Sequence, residues 1–195
     1  LSVLVNEARS MGGEHGRIVQ EQSEAMQIQI QHYLQRARIA AQRDSVVFRT
    51  PVTPVLERMQ RVTAKLNTTV NVTFRNDLSS AVFAGEREDL EEIVGNLLEN
   101  AGKWGRKRIN IKLARVSGEQ RRFEVLIEDD GPGLASDKIE AALKRGSRVD
   151  ETKPGTGLGL AIVQDTVREY GGDLHLGKSS LGGLGVRAVL PLTED

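Results

Sequence analysis

Apolar residues recur at helical spacing from the start of the chain. Leu1, Leu4, Val5, Ala8 and Met11 form one run. Beyond Gly12-Gly13, a second stripe of Met26, Ile30, Tyr33, Leu34, Ala37 and Ala41 falls at i, i+4, i+7, i+8, i+11 and i+15. The pattern predicts two antiparallel helices over residues 1–45, joined at Gly12 to Gly16, the first one truncated. One apolar stripe cannot be buried by a hairpin alone. It needs a second copy, completing a four-helix bundle, or the rest of its own chain. Periodicity leaves both open.

Pro51 and Pro54 mark a join, and the pattern changes after them. Residues 54–66 read as helix. Val70, Val72 and Phe74 alternate, as do Ile109, Ile111 and Leu113, then Phe123, Val125 and Ile127, then Val186, Ala188 and Leu190. A helix is expected over 86–103, with Leu90, Ile93, Val94, Leu97, Leu98 and Ala101 on one face. Another follows Gly159, with Leu160, Val163, Val167 and Tyr170. Residues 46–195 therefore read as an α+β domain, a two-layer α/β sandwich with helices on one face of a mixed sheet.

Composition narrows the function. The chain has 195 residues, 27 basic and 27 acidic side chains, zero formal net charge and no cysteine. The missing cysteines exclude a disulfide framework, a cysteine nucleophile and a cysteine zinc site. The charge balance argues against nucleic acid as a partner, since phosphate-tracking surfaces are strongly basic. No run approaches the roughly 20 apolar residues that span a bilayer. The opening Leu, already in a helical pattern, suggests a piece of something longer.

Much of the glycine falls in three clusters: Gly131 and Gly133, Gly155 to Gly159, and Gly182 to Gly185. The first follows a strand, in Asp129-Asp130-Gly131-Pro132-Gly133. A carboxylate there suits an exocyclic amine, and the glycines let a ring approach the backbone; alone, the string is also an ordinary turn. The second, Gly155-Thr156-Gly157-Leu158-Gly159-Leu160, opens a helix and offers backbone N–H groups to phosphate. It is neither a Walker A loop nor a dinucleotide fingerprint. Residues 134–154, with Lys144, Arg145, Arg148 and Lys153, read as a basic lid or a solvated loop. On helix 86–103, Asn96 and Asn100 share a face with Lys103 a turn beyond. Two amides and an amine there suit an oxygen-coordinated Mg²⁺ and its phosphates, or simply a polar helix face.

Taken together, Asn96-Leu-Leu-Glu-Asn100-Ala-Gly-Lys103-Trp104, then DDGPG, then GTGLGL, resemble the catalytic domain of sensor histidine kinases of two-component systems. These share the ATP-binding fold of gyrase, Hsp90 and MutL. The stretch Arg145-Gly-Ser-Arg148-Val-Asp150 resembles the PhoQ type. The resemblance implies ATP and Mg²⁺ as cofactors. Asn100 would coordinate the metal with Asn96 in support, and Lys103 would contact phosphate. Trp104 replaces the usual Tyr beside adenine, keeping the aromatic platform without its hydroxyl. Asp129 would accept from the adenine amine, with Gly131 and Gly133 shaping the pocket. Gly155, Thr156, Gly157, Leu158 and Gly159 would form the phosphate loop, and Arg145 and Arg148 would reach the phosphates from the lid. Gly182 and Gly183 match a last glycine box of structural role. The phenylalanine box of many relatives is absent. The resemblance further implies a hairpin that dimerises the chain and docks a response regulator, in the cytoplasmic part of a bacterial inner-membrane sensor.

One family feature is missing. The phosphoacceptor histidine lies on the first hairpin helix, in a His-acid-x-x-x-Pro-like string, and no such string occurs. His15, His32 and His175 are scattered and lack that context. The chain is therefore expected to begin just past that box, to bind Mg·ATP and not to phosphorylate itself. A gyrase-type ATPase is the competing enzyme. It needs a Glu one turn before the metal asparagine, where this chain has Asn96; Glu92 lies four residues further back. A non-enzymatic interaction module is the third reading.

Overall fold

The computed structural model describes residues 26, 30, 48–78, 80–119, 121–143 and 157–193. The chain divides into two compact units, Leu1–Val46 and Val47–Asp195. In the first, Met26 and Ile30 are helical and exposed. The other residues of the expected hairpin, His15 and His32 among them, lie outside those described.

The second unit is built on a five-stranded sheet in the order β2-β4-β5-β7-β6. Its strands are β2 (Asn71–Asn76), β4 (Arg108–Arg115), β5 (Arg122–Asp129), β6 (Asp173–Lys178) and β7 (Leu184–Pro191). The sheet is mixed: β2 runs parallel to β4, and every other pair is antiparallel. A short pair, β1 (Thr50–Pro51) and β3 (Val82–Phe83), stands apart. Alternation predicted β2, β4, β5 and β7 but neither β6 nor this pair, which two residues are too few to signal. Val70, expected in β2, lies in the turn before it.

Register explains which face is covered. Ile109, Ile111 and Leu113 of β4 and Phe123, Val125 and Ile127 of β5 are all buried. Ile111 sits opposite Ile127, and Ile127 opposite Val186. The intervening Asn110, Lys112, Glu124 and Glu128 are half-buried on the other face. Three helices cover the apolar face: α1 (Val52–Leu66), α2 (Arg87–Trp104) and α4 (Gly159–Glu169); a single turn, α3 (Ile139–Ala142), lies in the loop between β5 and α4. α2 is the central helix and packs on α1, α4 and β5. It buries Leu90, Ile93, Val94, Leu97, Leu98 and Ala101, the stripe predicted from sequence. Fully burying side chains of this size contributes roughly 1.5–3 kcal/mol each, so this stripe is what sets the azimuth of α2. With it fixed, Asn96, Asn100 and Lys103 fall at the stripe's edge, half-buried.

Aromatic packing closes one end. Phe83 meets Phe123 edge-on at 6.2 Å and Tyr170 at 4.7 Å. Among the described residues, no helix is long and apolar enough to cross a membrane.

Candidate nucleotide site

The site forms where the central strand β5 ends. Asp129 is its last residue, flanked by Ile109 of β4 and by the start of β7. Its side chain is 2% exposed. The Oδ1 atom accepts from the backbone N–H of Gly131 at 2.8 Å and of Leu184 at 3.2 Å. Burial pushes the carboxyl above its ordinary range; those two amides pull it down, and neighbouring Asp130 adds to the rise. One oxygen is thus fixed by the backbone, which leaves Oδ2 to receive a ligand's N–H.

Close backbone approach surrounds this carboxylate. A Cβ on Gly131 would fall against the carbonyl oxygen of Trp104 and 2.8 Å from Asp129 Oδ1. A Cβ on Gly183 would lie 2.5 Å from the Gly131 nitrogen and 2.6 Å from the Asp129 carbonyl oxygen, besides meeting Asp129 Oδ1. Side chains at either position would fill the space around the acceptor. Gly183 also donates its N–H to the Asp129 carbonyl at 3.2 Å. The last glycine box, expected to be structural, therefore borders the predicted adenine acceptor directly. Gly133 adopts φ +73° with its Cα facing Gly183.

Trp104 closes α2 beside this loop. Its ring lies under the Lys103 ammonium, 5.1 Å from Nζ to the ring centroid. Both residues are half-buried. The platform and the phosphate-contacting lysine implied by the resemblance are thus brought together and touch each other.

Asn96 faces the start of α4. Its Nδ2 donates to the Glu92 carbonyl at 2.9 Å, which turns its Oδ1 outward. That oxygen would lie 3.1 Å from a Cβ on Gly159, so the two helices meet closely here. Asn100 is half-buried one turn along α2. Among the described residues, no group of three or more His, Cys, Asp or Glu side chains is placed to hold a metal. Amide oxygens alone form a partial set; Mg²⁺ fits here only with phosphate oxygens and water supplying the rest. Gly157 has φ +69°, Leu158 is the N-cap of α4, and among the described residues no side chain caps that helix. Its first amides are left to an anion. Arg145, Arg148, Gly155 and Thr156 lie outside the described residues.

Sequence reasoning gave no role to Asp130, Leu184 or Gly183 at this centre. Leu184 acts through its backbone, which no side-chain pattern signals. His175 is exposed on β6 opposite Arg187, away from any acid-x-x-x-Pro string.

Known proteins resemble this chain in sequence and in fold. A family model described as histidine kinase-, DNA gyrase B- and HSP90-like ATPase matches residues 85–194. Sensor protein PhoQ of Escherichia coli strain K12 is 32% identical over 198 residues, covering 97% of this chain and 40% of that protein. Sensor protein kinase CarS of Pseudomonas aeruginosa is 46% identical over 110 residues, 56% of this chain and 24% of that one. The chain thus spans well under half the length of these relatives. Among solved structures, the mycobacterial sensor histidine kinase MprB superposes with a TM-score of 0.67 at 26% identity, covering 77% of this chain and all of that one.

Proposed function

Since the chain belongs to the histidine kinase-, DNA gyrase B- and HSP90-like ATPase family, we propose that it is the ATP-binding catalytic portion of a two-component sensor histidine kinase. The observation that carries this reading is Asp129. It is a buried carboxylate with one oxygen held by two amides, beside the only tryptophan of the chain and ringed by glycine backbone. That geometry suits an adenine amine at Oδ2 and a ring against Trp104. The phosphates would then extend toward Asn96, Asn100, Lys103 and the start of α4.

Catalysis in such a site is positioning and charge neutralisation. Asn96 and Asn100 would hold Mg²⁺, which supplies charge compensation to the phosphates when bound. Lys103 leaves the Trp104 face to meet phosphate. Arg145 and Arg148 would add positive charge from the lid. In the longer parent protein, the γ-phosphorus–oxygen bond to ADP breaks as a phosphorus–nitrogen bond forms to a histidine on the dimerisation helix, and the phosphoryl group passes on to a response-regulator aspartate. The hairpin of residues 1–45 would dimerise and dock that regulator, and the parent would sit in the inner membrane with this part in the cytoplasm. The three histidines of this chain lack the acceptor context, so the chain alone binds Mg·ATP without labelling itself.

A gyrase-like ATPase fits less well. The position that would carry the water-activating base is Asn96. Glu92, the nearest acid before it, has a buried Oε2 with no hydrogen-bond partner among the described residues, and burial first, then Asp89 and Glu169, raise its carboxyl.

The test is a titration with a fluorescent ATP analogue and Mg²⁺, using Asp129→Asn as control. Saturable binding, weakened at least about tenfold in the variant by loss of a charged acceptor, is expected. Affinity should also fall on acidification, as Asp129 takes up a proton and Oδ2 stops accepting. Absence of binding by the native chain would favour the interaction module. An acid-labile phosphate label on the chain alone would overturn the missing-acceptor reading.

A further inference from the structure

The residue after the acceptor carries a role of its own. Asp130 Oδ1 accepts three consecutive backbone N–H groups: Arg106 at 2.8 Å, Lys107 at 3.0 Å and Arg108 at 3.1 Å. Its Oδ2 lies 3.7 Å from the Arg108 guanidinium, and its side chain is 12% exposed. These amides belong to the turn that leaves α2. Trp104 ends the helix, Gly105 caps it by donating to the Ala101 carbonyl at 2.7 Å, and β4 starts at Arg108. Three converging amides form an anion nest, and here the protein fills it with its own carboxylate. Burial tends to raise that carboxyl, and the amides of Lys107, Arg106 and Arg108 outweigh it, holding it near 2. It stays ionised through the range in which proteins work.

The consequence lies in what the turn carries. Trp104 precedes it directly, and Asp129 directly precedes Asp130. Gly131, on the other side, presses its Cα toward the Trp104 carbonyl. The Trp104 backbone is therefore gripped from both sides by the loop that bears the acceptor.

We propose that Asp130 is a positioning residue of the nucleotide site: by folding the Arg106–Arg108 turn onto the end of β5, it sets the Trp104 platform at a fixed distance from the Asp129 acceptor. The inference rests on the nucleotide-binding reading and adds the means by which adenine is aligned.

The grip depends on where the acceptor oxygen sits, more than on charge alone. Asn keeps an oxygen in place and loses the charge. Glu keeps the charge and displaces the oxygen by a methylene. Ala removes the acceptor. Binding of a fluorescent ATP analogue with Mg²⁺, and competition by ADP and GDP, should be measured on the native chain and on Asp130→Asn, Asp130→Glu and Asp130→Ala, each confirmed folded by circular dichroism. Asp130→Ala and Asp130→Glu should bind about tenfold more weakly, with the preference for ADP over GDP reduced; Asp130→Asn should stay within about threefold and keep the preference. A merely structural role would lower the melting temperature and leave the ADP-to-GDP ratio of the folded protein intact. Should Asp130→Ala not fold, Asp130→Asn against Asp130→Glu decides the matter. Native affinity and preference in Asp130→Ala, or binding by Asp130→Glu that is as good as native, would overturn the proposal while leaving the nucleotide reading standing. A native chain that binds neither nucleotide would overturn both.

Discussion

The two ends of α2 surround their carboxylates with different partners. At its C-terminal end, Asp129 and Asp130 are surrounded by backbone donors: two amides reach Asp129 and three reach Asp130. At its N-terminal end, Asp89 is 0% exposed and accepts from the Tyr170 hydroxyl, while Glu92 buries an oxygen that receives no hydrogen bond among the described residues. Burial pushes the Asp89 carboxyl up to about 6; the Tyr170 hydrogen bond opposes this, and Glu86, Glu169 and Glu88 add to it. The residue type is shared, and the balance between burial and hydrogen-bond donors decides the outcome. Where three turn amides converge, Asp130 is held below the ordinary carboxylate range and organises the backbone, whereas the two amides on Asp129 leave burial the larger influence. In the first turn of α2, burial and the neighbouring Glu86, Glu169 and Glu88 outweigh the Tyr170 hydrogen bond, and Asp89 competes with its neighbours for protons.

The largest effect expected from breaking the donor-rich end comes from Gly183→Ala. The new methyl would meet Asp129 Oδ1, the Gly131 nitrogen at 2.5 Å and the Asp129 carbonyl at 2.6 Å, and two of these are backbone atoms that cannot swing aside. Overpacking of this kind costs about 1–3 kcal/mol, a drop of several degrees in melting temperature at this size. Because the strain falls on the acceptor itself, nucleotide binding should be lost at temperatures where the variant is still folded. Calorimetric titration beside a thermal melt checks this, and native affinity in a folded Gly183→Ala would mean the close approach is not part of the site.

The N-terminal end gives a smaller effect with a distinctive pH signature. The Asp89 carboxyl binds its proton more tightly folded than unfolded. Between about 6 and the ordinary carboxylate value near ~4, the folded state holds a proton that the unfolded state has released. Stability contributed here therefore rises as pH falls through that window, and at neutral pH the ionised group costs at most about 3 kcal/mol. Asp130 has the reverse sign: its depressed carboxyl supports the fold above the ordinary range and loses that contribution as pH falls toward about 2. Asp89→Asn should melt no lower than the native chain at pH 7 and should flatten the pH dependence between 6 and 4. Melting curves across pH 3–8 for both proteins test it. A large loss at pH 7 would show that the charged hydrogen bond from Tyr170 outweighs burial.

How much of this was legible in the sequence follows from the same contrast. The α2 stripe, the four alternating strands and the order of the motifs are periodic signals, and they placed Asn96, Asn100, Lys103, Trp104 and Asp129 on the elements that carry them. Gly131 was expected to let a ring approach the backbone and Gly159 to belong to a phosphate loop; the structure places the first against the Trp104 carbonyl and the second against Asn96. What escaped was long-range backbone chemistry. That the Leu184 amide reaches Asp129 depends on β7 lying beside β5. That Asp130 gathers three amides 22 to 24 residues away depends on how the α2–β4 turn is folded. Neither has a side-chain pattern to read. The carboxylates of Asp89 and Glu92 likewise look like ordinary polar positions on an amphipathic helix until α4 brings Glu169 against them.

The smallest expected effect is the one that separates a structural acid from a catalytic one. Glu92 sits where a shifted reading of the α2 motif would put a water-activating base. Its carboxyl is raised by burial and by Asp89 and Glu169, and its backbone carbonyl orients Asn96. Glu92→Gln preserves that carbonyl and replaces the buried acid by a neutral amide of equal size. Relieving like-charge crowding should leave stability within about 1 kcal/mol of native, raised if changed, with nucleotide affinity unaltered because Asn96 keeps its partner. Any slow phosphate release should continue at the native rate, since Asn96 occupies the position of the water-activating base. If Glu92→Gln instead abolishes steady phosphate release while binding persists, Glu92 reaches the γ-phosphate side after all. The N-terminal end of α2 would then be an active centre, its raised carboxyl the property a general base requires.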